Sequence, residues 1–519
     1  MVEIEYPRIS LQGLLEATAQ RASRETGLVF GDRCLPYFEL DLLCNRFANA
    51  LLGLGVTKGE RVALFLPNSF QFVIAYFGVL KAGMVVTALS PLAHEREIEY
   101  QLYESEAQTI VTLDTLYPIV QTVWEKTQLK NGVITGAESY GDSQVDRKRI
   151  GIVDFEVLLK GASGVVPDIA VDPEVDLAVL QFTGGTTGTA KAVMLTHRNL
   201  VSNALSFASA IDATEQDVFL SALPLCHIYG MTTSLTVPVS LGATMVLLSR
   251  FEVGRVCETI HRHRVTVFCG VPTMYQRLLA DNAFASCDLT SIRVCISGAS
   301  SLPPHVQKRF MKVTGGVLVE GYGLTEASPV THCMPIDKVQ ILRTGSIGLP
   351  LTGTEAKIVD TQTGEKTLVT GEIGELAVRG PQVMMGYWRR PDETALVLRD
   401  GWLFTGDIAY KDSDGYFYIV DRKKDLIKHK GYSIYPQELE KVLYEHPAVK
   451  LCAVVGRDDD VLGEVPKAYV VLKETVYVSE RELQEFVNRQ VASYKAIRDL
   501  EILTSLPLSS AGKVLKGIL

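Results

Sequence analysis

The strongest chemical signal in the sequence is a loop rich in glycine and threonine. Residues 183–191 read Thr-Gly-Gly-Thr-Thr-Gly-Thr-Ala-Lys and follow the mainly apolar run Leu177–Phe182. Glycines let backbone N–H groups approach an anion closely, the threonine hydroxyls add donors, and Lys191 adds a positive charge. The loop is not a Walker A motif, because Ala190 and Ala192 stand where that motif needs Gly and Ser or Thr. These residue types indicate a polyphosphate-binding loop, and a flexible Gly/Thr loop is the alternative.

A second segment combines an aromatic ring with an acid. Residues 320–326 read Glu-Gly-Tyr-Gly-Leu-Thr-Glu, and Glu326 stands where a dinucleotide fingerprint has its third glycine. Tyr322, between two glycines, can lay its ring against a planar base. Glu326 is a hard oxygen ligand suited to Mg²⁺. A turn with a packed tyrosine and a solvated glutamate explains the segment equally well.

Three further segments carry charge. Asp407 ends the run Trp402–Asp407, where its carboxylate can accept hydrogen bonds from two ribose hydroxyls, although an ordinary turn aspartate is the alternative. Residues 421–431 contain six basic residues, counting His429, and indicate either a solvated face or an anion-binding hinge. Lys513 follows a glycine near the C-terminus, where a lysine is usually a surface charge.

Together, the five segments resemble the motifs of the adenylate-forming superfamily, which contains acyl-CoA synthetases, luciferases and non-ribosomal adenylation domains. Their order and spacing match, and the resemblance runs through nearly the whole chain. It is nearest to bacterial fatty acyl-CoA synthetases, which share the TGGTTG form of the loop, and to 4-coumarate–CoA ligase-like enzymes. There are two departures: Gly184, Ala190 and Ala192 replace the Ser, Pro and Gly of the common loop, and Lys516 stands where an arginine is usual.

The resemblance implies an ATP site with Mg²⁺. The Gly/Thr loop would hold the β- and γ-phosphates, Tyr322 would stack on adenine, and Thr325 would contact the α-phosphate. Glu326 would hold Mg²⁺ together with the Thr183 hydroxyl, and Asp407 would bind the ribose. The predicted ATP-binding residues are Thr183, Gly184, Gly185, Thr186, Thr187, Gly188, Lys191, Gly298, Ala299, Ser300, Glu320, Gly321, Tyr322, Gly323, Asp407 and Arg422.

The resemblance also implies two half-reactions. A carboxylate attacks the α-phosphate of ATP, and because both partners are anionic, positioning and charge neutralisation by Lys513 and Mg²⁺ carry the catalysis. Pyrophosphate leaves, and the acyl-AMP needs a closed site that keeps water away. The C-terminal domain then rotates about a hinge at Lys424, and a thiol attacks the acyl-AMP. The Lys-Gly pair at 430–431 favours CoA as that thiol. The predicted CoA-site residues are Lys428, Lys430, Gly431 and Ser433.

The acid is predicted from Leu225–Gly230, which resembles the acid-pocket segment of 4-coumarate–CoA ligases. His227 would close the tunnel between acid and CoA, and a satisfied core histidine is the alternative. The run Val218–Ser249 lacks Asp, Glu, Lys and Arg, which suits an apolar tail, and no acid near His227 would hold an amino-acid ammonium. The predicted acyl-pocket residues are Tyr229, Gly230, Ser297, Pro329 and Val330.

The first prediction for the substrate is therefore a medium- or long-chain fatty acid, and the second is an aryl acid such as a cinnamate or benzoate. Three other classes stay open: an acyl-AMP ligase that loads a carrier protein, a non-catalytic nucleotide sensor, and a luciferase-type oxygenase. A sensor needs no Lys513, so the retention of Lys513 beside Glu326, Asp407 and Arg422 argues against that class.

These residues must be positioned by helices and strands. In the first part of the chain, the sequence predicts that the two alternate, as in an α/β fold. Apolar residues at spacings of three and four predict a helix over Ser69–Lys81, between strands at Val62–Leu66 and Val85–Ala88, and this alternation predicts a mostly parallel sheet. Further strands are predicted at Val218–Leu223, Ala243–Leu248, Val265–Cys269 and Val294–Ser297.

After about residue 345 the residue composition and the hydrophobic pattern of the sequence change. Closely spaced glycines and short β-type runs, such as Ala356–Val359 and Glu375–Arg379, predict a small β-barrel-like subdomain over about 345–420. The expected fold is a large N-terminal domain, residues 1–422, made of two α/β subdomains with parallel-rich sheets plus this β-rich subdomain. A small, mobile α+β C-terminal lid follows at 423–519. Its predicted elements are a helix from Pro436 through Tyr444, strands at Leu451–Val455 and Lys467–Leu472, and a helix capped by Ser479.

The amino-acid composition further limits the class of protein and the kinds of partner and metal site that the chain can have. The 519 residues are 47% hydrophobic and 21% charged, which is typical of globular proteins and excludes disorder for most of the length. The net charge of −9 argues against nucleic acid as a partner. The nine cysteines form no CxxC pair, so no structural zinc site is predicted. We expect no secretory signal and no transmembrane segment, because the uncharged run at 218–249 holds prolines and polar residues, and we predict a cytoplasmic enzyme, with a homodimer left open.

Overall fold

The computed structural model describes residues 4–136, 151–183, 190–285, 287–336, 343–429, 432–459, 462–473, 476–508 and 514–519. These residues form two compact units. The first comprises Met1–Thr183, Ala190–Glu355 and Arg379–Leu398. The described residues of the second come from Ala356–Val378 and Arg399–Leu519.

The strands, in chain order, are β1 (Thr26–Phe30), β2 (Arg33–Pro36), β3 (Arg61–Phe65), β4 (Val85–Ala88), β5 (Thr109–Leu113), β6 (Asn131–Thr135), β7 (Ile152–Asp154), β8 (Leu177–Phe182), β9 (Ala192–Thr196), β10 (Val218–Ser221), β11 (Thr244–Leu247), β12 (Val267–Gly270), β13 (Val294–Ser297), β14 (Val317–Gly323), β15 (Val330–Cys333), β16 (Leu349–Pro350), β17 (Glu355–Val359), β18 (Gly374–Arg379), β19 (Gly386–Tyr387), β20 (Leu398–Arg399), β21 (Trp402–Lys411), β22 (Phe417–Arg422), β23 (Ile427–His429), β24 (Tyr432–Ile434), β25 (Val449–Asp459), β26 (Gly463–Leu472) and β27 (Asp499–Ile502).

The helices are α1 (Leu11–Arg21), α2 (Tyr37–Gly53), α3 (Phe70–Lys81), α4 (Glu95–Ser105), α5 (Tyr117–Val123), α6 (Phe155–Gly161), α7 (His197–Ala210), α8 (Ile228–Met231), α9 (Val237–Leu241), α10 (Val253–His263), α11 (Pro272–Ala280), α12 (Asn282–Ala285), α13 (Pro304–Thr314), α14 (Pro391–Val397), α15 (Pro436–Glu445) and α16 (Glu480–Asn488). One π-helical turn, Thr232–Thr236, joins α8 to α9.

The first unit contains two large sheets. One has nine strands in the order β16-β15-β14-β13-β12-β10-β11-β1-β2, and the other has eight in the order β19-β9-β8-β4-β3-β5-β6-β7. The centre of each sheet is parallel, from β1 through β14 in the first and from β8 through β7 in the second, while the strands toward one or both ends are antiparallel. The predicted parallel-rich α/β architecture is therefore confirmed.

Local chemistry explains how the helices of this unit begin and pack. Ser69 caps α3 by accepting a hydrogen bond from the Phe72 N–H, and every residue of α3 is buried. Gly78 lets α2 approach α3, since a Cβ there would lie 2.8 Å from the Phe47 ring. Thr196 caps α7 and forms a reciprocal pair with Asn199.

The second unit contains two five-stranded sheets. In one, β17, β18, β21 and β20 lie in that order and β22 pairs with β21; in the other, β24, β23, β26 and β25 lie in order and β27 pairs with β26. Helices α15 and α16 cover the latter sheet through a core that includes Leu439, Leu443, Leu483 and Val487. The domain boundary near residue 422 stays a prediction, as does the extent of the β-rich subdomain; residues 379–398 lie with the first unit.

Within the described ranges, no helix is long and apolar enough to cross a membrane. The uncharged run at 218–249 instead forms β10, α8, α9 and β11. In the same part of the chain, no three His, Cys, Asp or Glu side chains cluster as a ready metal site.

Candidate active site

The Gly/Thr loop is the connection of an antiparallel hairpin. Strands β8 and β9 pair with Phe182 opposite Ala192. Beyond that pair, the Thr183 N–H donates to the Lys191 carbonyl at 2.9 Å, and the Lys191 N–H donates to the Thr183 hydroxyl at 3.3 Å. Both ends of the loop are therefore fixed. The predicted phosphate-binding residues Gly184, Gly185, Thr186, Thr187 and Gly188 lie outside the described residues.

The Lys191 ammonium lies between an acid and an aromatic ring. Its Nζ is 2.5 Å from Glu393 Oε2 and 4.9 Å from the centroid of the Tyr387 ring. The hydrogen bond from Lys191 lowers the pKa of the Glu393 carboxyl despite its partial burial. A single positive charge is thus held at one end of the loop, where a polyphosphate would meet it.

The carboxylate of Glu326 is also held by Tyr387. Glu326 lies in the 3₁₀ turn Thr325–Ala327, directly after β14. The Tyr387 hydroxyl donates to Glu326 Oε1 at 2.7 Å, and the Met384 N–H donates to the Glu326 carbonyl at 2.9 Å. Burial first, and then the Glu326 charge, raises the pKa of Tyr387, so its hydroxyl remains a donor at neutral pH.

The residues present fit Mg²⁺ at this turn. A carboxylate offers about four lone-pair sites, so one hydrogen bond from Tyr387 leaves capacity for a metal ion. The Glu326 side chain is partly exposed, as a ligand shared with a bound nucleotide must be. Mg²⁺ is commonly held by one or two carboxylates plus substrate phosphates, and Glu326 supplies such a carboxylate.

The strand β14 positions the predicted adenine-binding tyrosine. Tyr322 pairs with His332 of β15, and the two rings meet edge to face with centroids 5.9 Å apart. A Cβ on Gly323 would lie 2.0 Å from the Pro329 carbonyl oxygen, so only glycine fits there. Val330 is fixed on both sides by Asn203, which donates to its carbonyl at 2.6 Å and accepts from its N–H at 3.1 Å. Tyr322, Gly323, Pro329 and Val330 are therefore brought together.

Glu320 is buried rather than presented to solvent. It lies opposite Ser297 in the parallel pair β13–β14, and its carboxylate accepts a hydrogen bond from the Leu302 N–H at 3.3 Å. Burial raises the pKa of Glu320 to about 8, so this side chain is mostly protonated at neutral pH. A neutral Glu320 does not repel a phosphate, and its ATP-binding role stays a prediction.

The strip at 298–300 follows β13. The Gly298 N–H donates to the Gly270 carbonyl at 3.1 Å, and Ala299 has the unusual φ of +70°. Ser300 is exposed. This loop therefore leaves the sheet at the carboxyl end of β13, the edge at which α/β sheets usually bind ligands.

Among the predicted acyl-pocket residues, Tyr229 packs against the end of β13. Its hydroxyl donates to the Ile296 carbonyl at 3.0 Å, and a Cβ on Gly298 would lie 2.9 Å from its ring. Gly230 is equally constrained, because a Cβ there would lie 2.4 Å from the Pro224 carbonyl oxygen. Ser297 is fully buried. Tyr229, Gly230, Ser297 and Gly298 thus form one packed group.

His227 is the N-cap of the short helix α8. Its Nδ1 accepts a hydrogen bond from the Tyr229 N–H at 3.2 Å, which places the proton of the neutral ring on Nε2. The side chain is half-buried. This capping contact accounts for the histidine structurally, and its role beside the acid–CoA tunnel stays a prediction.

In the second unit, the predicted ribose-binding acid is paired with the predicted arginine. Asp407 and Arg422 lie opposite each other on β21 and β22, and Arg422 Nε is 3.0 Å from Asp407 Oδ1. The Asp407 side chain is buried, whereas that of Arg422 is 40% exposed. A second pair lies beside it, with Lys423 Nζ 2.7 Å from Glu375 Oε2.

The predicted hinge begins with a buried acid. Asp421 accepts hydrogen bonds from the Arg422 N–H and from the Gln437 N–H, both at 2.7 Å, and thereby joins β22 to the first turn of α15. Burial raises the pKa of Asp421 to about 6. Burial also lowers the pKa of Lys424.

The predicted CoA residues are described only in part. Lys428 is exposed, its N–H donates to Glu464 Oε2 at 2.6 Å, and it pairs across β23–β24 with the backbone of Ser433. Lys430 and Gly431 lie outside the described residues, and so does Lys513. Lys516, in the position where related enzymes carry arginine, contacts Glu440 at 2.7 Å.

Tyr387 and Glu393 are not among the site residues predicted from the sequence. They lie 61 and 67 residues after Glu326, and no motif marked them. A local signal was present in Gly386-Tyr387-Trp388, a short aromatic run that is typical of a strand. Pro391 follows it and is typical of the first turn of a helix.

Known proteins with similar sequences and folds cover nearly the whole chain. Residues 15–388 match the family described as AMP-binding enzyme, and residues 438–513 match its C-terminal domain. A long-chain-fatty-acid–CoA ligase of Bacillus subtilis (strain 168) is 40% identical, and the match covers 99% of this chain and 94% of that one. 4-Coumarate–CoA ligase 2 of Oryza sativa subsp. japonica is 36% identical over 93% of this chain and 87% of its own. A solved anthranilate CoA ligase in complex with anthranoyl-AMP superposes with a TM-score of 0.88 at 28% identity, over 99% of this chain and 96% of that chain.

Proposed function

Because the chain belongs to the AMP-binding enzyme family, we propose that it is an AMP-forming acid–CoA ligase that activates a medium- or long-chain fatty acid. The observation that carries this proposal is the near full-length match to a long-chain-fatty-acid–CoA ligase. ATP and CoA are its cosubstrates, with Mg²⁺. The reaction joins a carboxylic acid to ATP, releases pyrophosphate, and transfers the acyl group to the CoA thiol.

The first half-reaction uses the following residues in these roles. The backbone and hydroxyls of the Gly/Thr loop bind the phosphates, with Lys191 as the nearby cation. Glu326 and Thr183 hold Mg²⁺, which neutralises charge on the phosphates when bound. Tyr322 stacks on adenine, and Thr325 contacts the α-phosphate. The uncharged surroundings of Tyr229 accommodate the apolar acid.

The second unit supplies the remaining groups. Asp407, oriented by Arg422, accepts hydrogen bonds from the ribose hydroxyls. Lys513 stabilises the charge that develops when the carboxylate attacks. The segment Lys428–Ser433 then serves CoA, and Lys424 serves as the hinge between the two half-reactions.

An aryl acid is the second candidate substrate. It is favoured by the 36% identity to a 4-coumarate–CoA ligase and by the fold shared with an anthranilate CoA ligase. We further propose that the enzyme is cytoplasmic, and we leave a homodimer open.

The test is pyrophosphate release from ATP and Mg²⁺ with a panel of acids, from acetate to palmitate and including benzoate, cinnamate and several amino acids, with and without CoA. We expect octanoate to palmitate to drive release that CoA accelerates, with acyl-CoA as the product. Faster turnover of cinnamate or benzoate than of every fatty acid establishes the aryl alternative. A single burst that CoA does not relieve points to a carrier protein as acceptor. No release with any acid contradicts the ligase proposal.

A further inference from the structure

We propose that Tyr387 is a positioning residue of the nucleotide site, which orients the Glu326 carboxylate with its hydroxyl and the Lys191 ammonium with its ring. This inference rests on the proposed function, in which those two groups meet Mg²⁺ and the phosphates. In this proposal Tyr387 itself contacts neither Mg²⁺ nor the phosphates. It acts through Glu326 and Lys191.

The backbone of Tyr387 is fixed from several directions. Strand β19 pairs with β9, with Tyr387 opposite Val193, and the next N–H, that of Trp388, donates to the Ala192 carbonyl at 2.8 Å. The Tyr387 N–H donates to the Thr394 hydroxyl at 2.9 Å. Gly386 permits this contact, because its φ is +145° and a Cβ there would lie 2.7 Å from Thr394. The ring therefore leaves a rigid support.

The hydroxyl of Tyr387 restricts a flexible carboxylate. A partly exposed glutamate on a 3₁₀ turn samples several rotamers, whereas Mg²⁺ requires near-octahedral ligand geometry. The 2.7 Å hydrogen bond to Oε1 selects one orientation of the Glu326 carboxylate. Partners that orient metal ligands in this way typically change metal affinity by 10- to 100-fold when they are removed.

The face of the same ring lies beside the loop lysine. Lys191 Nζ is 4.9 Å from the ring centroid, within the distance at which an ammonium is attracted to an aromatic face. The Tyr387 side chain is only 6% exposed, so this face is offered to Lys191 rather than to bulk water. One buried residue therefore connects the loop cation to the predicted metal ligand.

The two functions of the ring and the hydroxyl can be separated by substitution. Y387F removes the hydroxyl and keeps the ring, and Y387L removes both. The affinity for α,β-methylene-ATP, measured by calorimetry at increasing Mg²⁺ concentration, reports on the nucleotide site without turnover. For Y387F we expect the Mg²⁺ concentration at half-maximal binding to rise about tenfold, with analogue affinity at saturating Mg²⁺ unchanged within about twofold. For Y387L we expect that affinity also to fall by about fivefold.

A matched control removes a buried tyrosine hydroxyl elsewhere in the same unit. Tyr37 donates to the Ala243 carbonyl at 2.6 Å, so Y37F costs a buried hydrogen bond without touching the site. Y37F and Y387F are expected to melt at similarly lowered temperatures, and only Y387F to shift the Mg²⁺ dependence. In an E326A background, which removes the acceptor of the Tyr387 hydroxyl, Y387F should add no further shift.

Two outcomes overturn the inference. Equal Mg²⁺ dependence in Y387F, Y37F and the wild type shows that the hydroxyl has a structural role alone. A shift in Y387F that persists undiminished in the E326A background shows that the hydroxyl does not act through Glu326. Both are distinct from failure of the proposed function, in which wild-type protein releases no pyrophosphate with any acid.

Discussion

At the scale of single residues, the charge of Lys191 is already partly neutralised before any nucleotide arrives. Its partner Glu393 and Lys191 itself are each about one-third exposed, at 32% and 31%. Exposed ion pairs of this kind contribute up to about 1 kcal/mol. A polyphosphate bound at the loop must therefore compete with Glu393 for the ammonium.

We expect E393Q to lower the KM for ATP by about threefold, because roughly 0.6 kcal/mol of that competition is removed. The kcat should stay within about twofold of wild type. Initial rates against ATP at saturating Mg²⁺, acid and CoA measure both. The control is E95Q, which removes a comparable exposed pair with Lys126. A raised KM in E393Q would instead mean that Glu393 holds Lys191 in its productive position.

The sequence predicted polar and charged residues of the candidate site, but not the residues that support them. Thr183, Lys191, Glu326 and Asp407 stand in compact segments whose composition already implies anion, metal or ribose binding. Tyr387 could not be found in that way, because its function depends on β19 pairing with β9. That pairing is a tertiary contact between residues far apart in the chain, and no local spacing encodes it.

At the scale of elements, Asp421 connects the end of β22 to the start of α15. Its carboxylate is fully buried and faces Lys516 and Glu440 as well as its two amide donors. Its pKa of about 6 in the folded protein lies above the 3.8 of an exposed aspartate. The folded state therefore binds the proton more tightly, and the stabilisation present below pH 4 is lost as the pH rises through 6.

The prediction is that D421N gains stability relative to wild type between pH 4 and pH 7, by up to roughly 3 kcal/mol. The amide oxygen of asparagine can still accept a hydrogen bond from Gln437, but it does not titrate. Urea unfolding of both proteins at several pH values gives the difference. A difference in stability between D421N and wild type that does not change with pH would refute the raised pKa of Asp421.

Element types were predictable wherever one periodicity dominated. The helix predicted at Ser69–Lys81 is α3 with Ser69 as its cap, and the predicted strands at Val85–Ala88 and Val294–Ser297 have the observed bounds. The strand predicted at Leu451–Val455 is longer, extending over Val449–Asp459. Its extension contains Arg457 and two aspartates, and these polar, exposed residues are held in the strand by pairing with β26 rather than by burial.

At the scale of the whole molecule, the proposed reaction uses residues from both family matches. The family match is continuous over residues 15–388 and resumes at 438–513. The loop, Glu326 and the acyl-pocket residues belong to the first match, while Lys513 is the last residue of the second. The family could be predicted from the sequence because several motifs, each weak by itself, occur together in the expected order and spacing.

The strongest consequence is that one substitution should separate the two steps. In the proposed mechanism Lys513 neutralises charge while the carboxylate attacks ATP, and we therefore expect K513A to slow acid-dependent pyrophosphate release by about 10²- to 10³-fold. Conversion of added acyl-AMP and CoA to acyl-CoA should stay within a few-fold of wild type, because that step has no pentavalent phosphorus to stabilise. K473A removes an exposed lysine that donates to the Pro447 carbonyl at 2.7 Å, and it controls for loss of surface charge. Equal loss of both steps in K513A would place Lys513 in the structure of the C-terminal region rather than in adenylation.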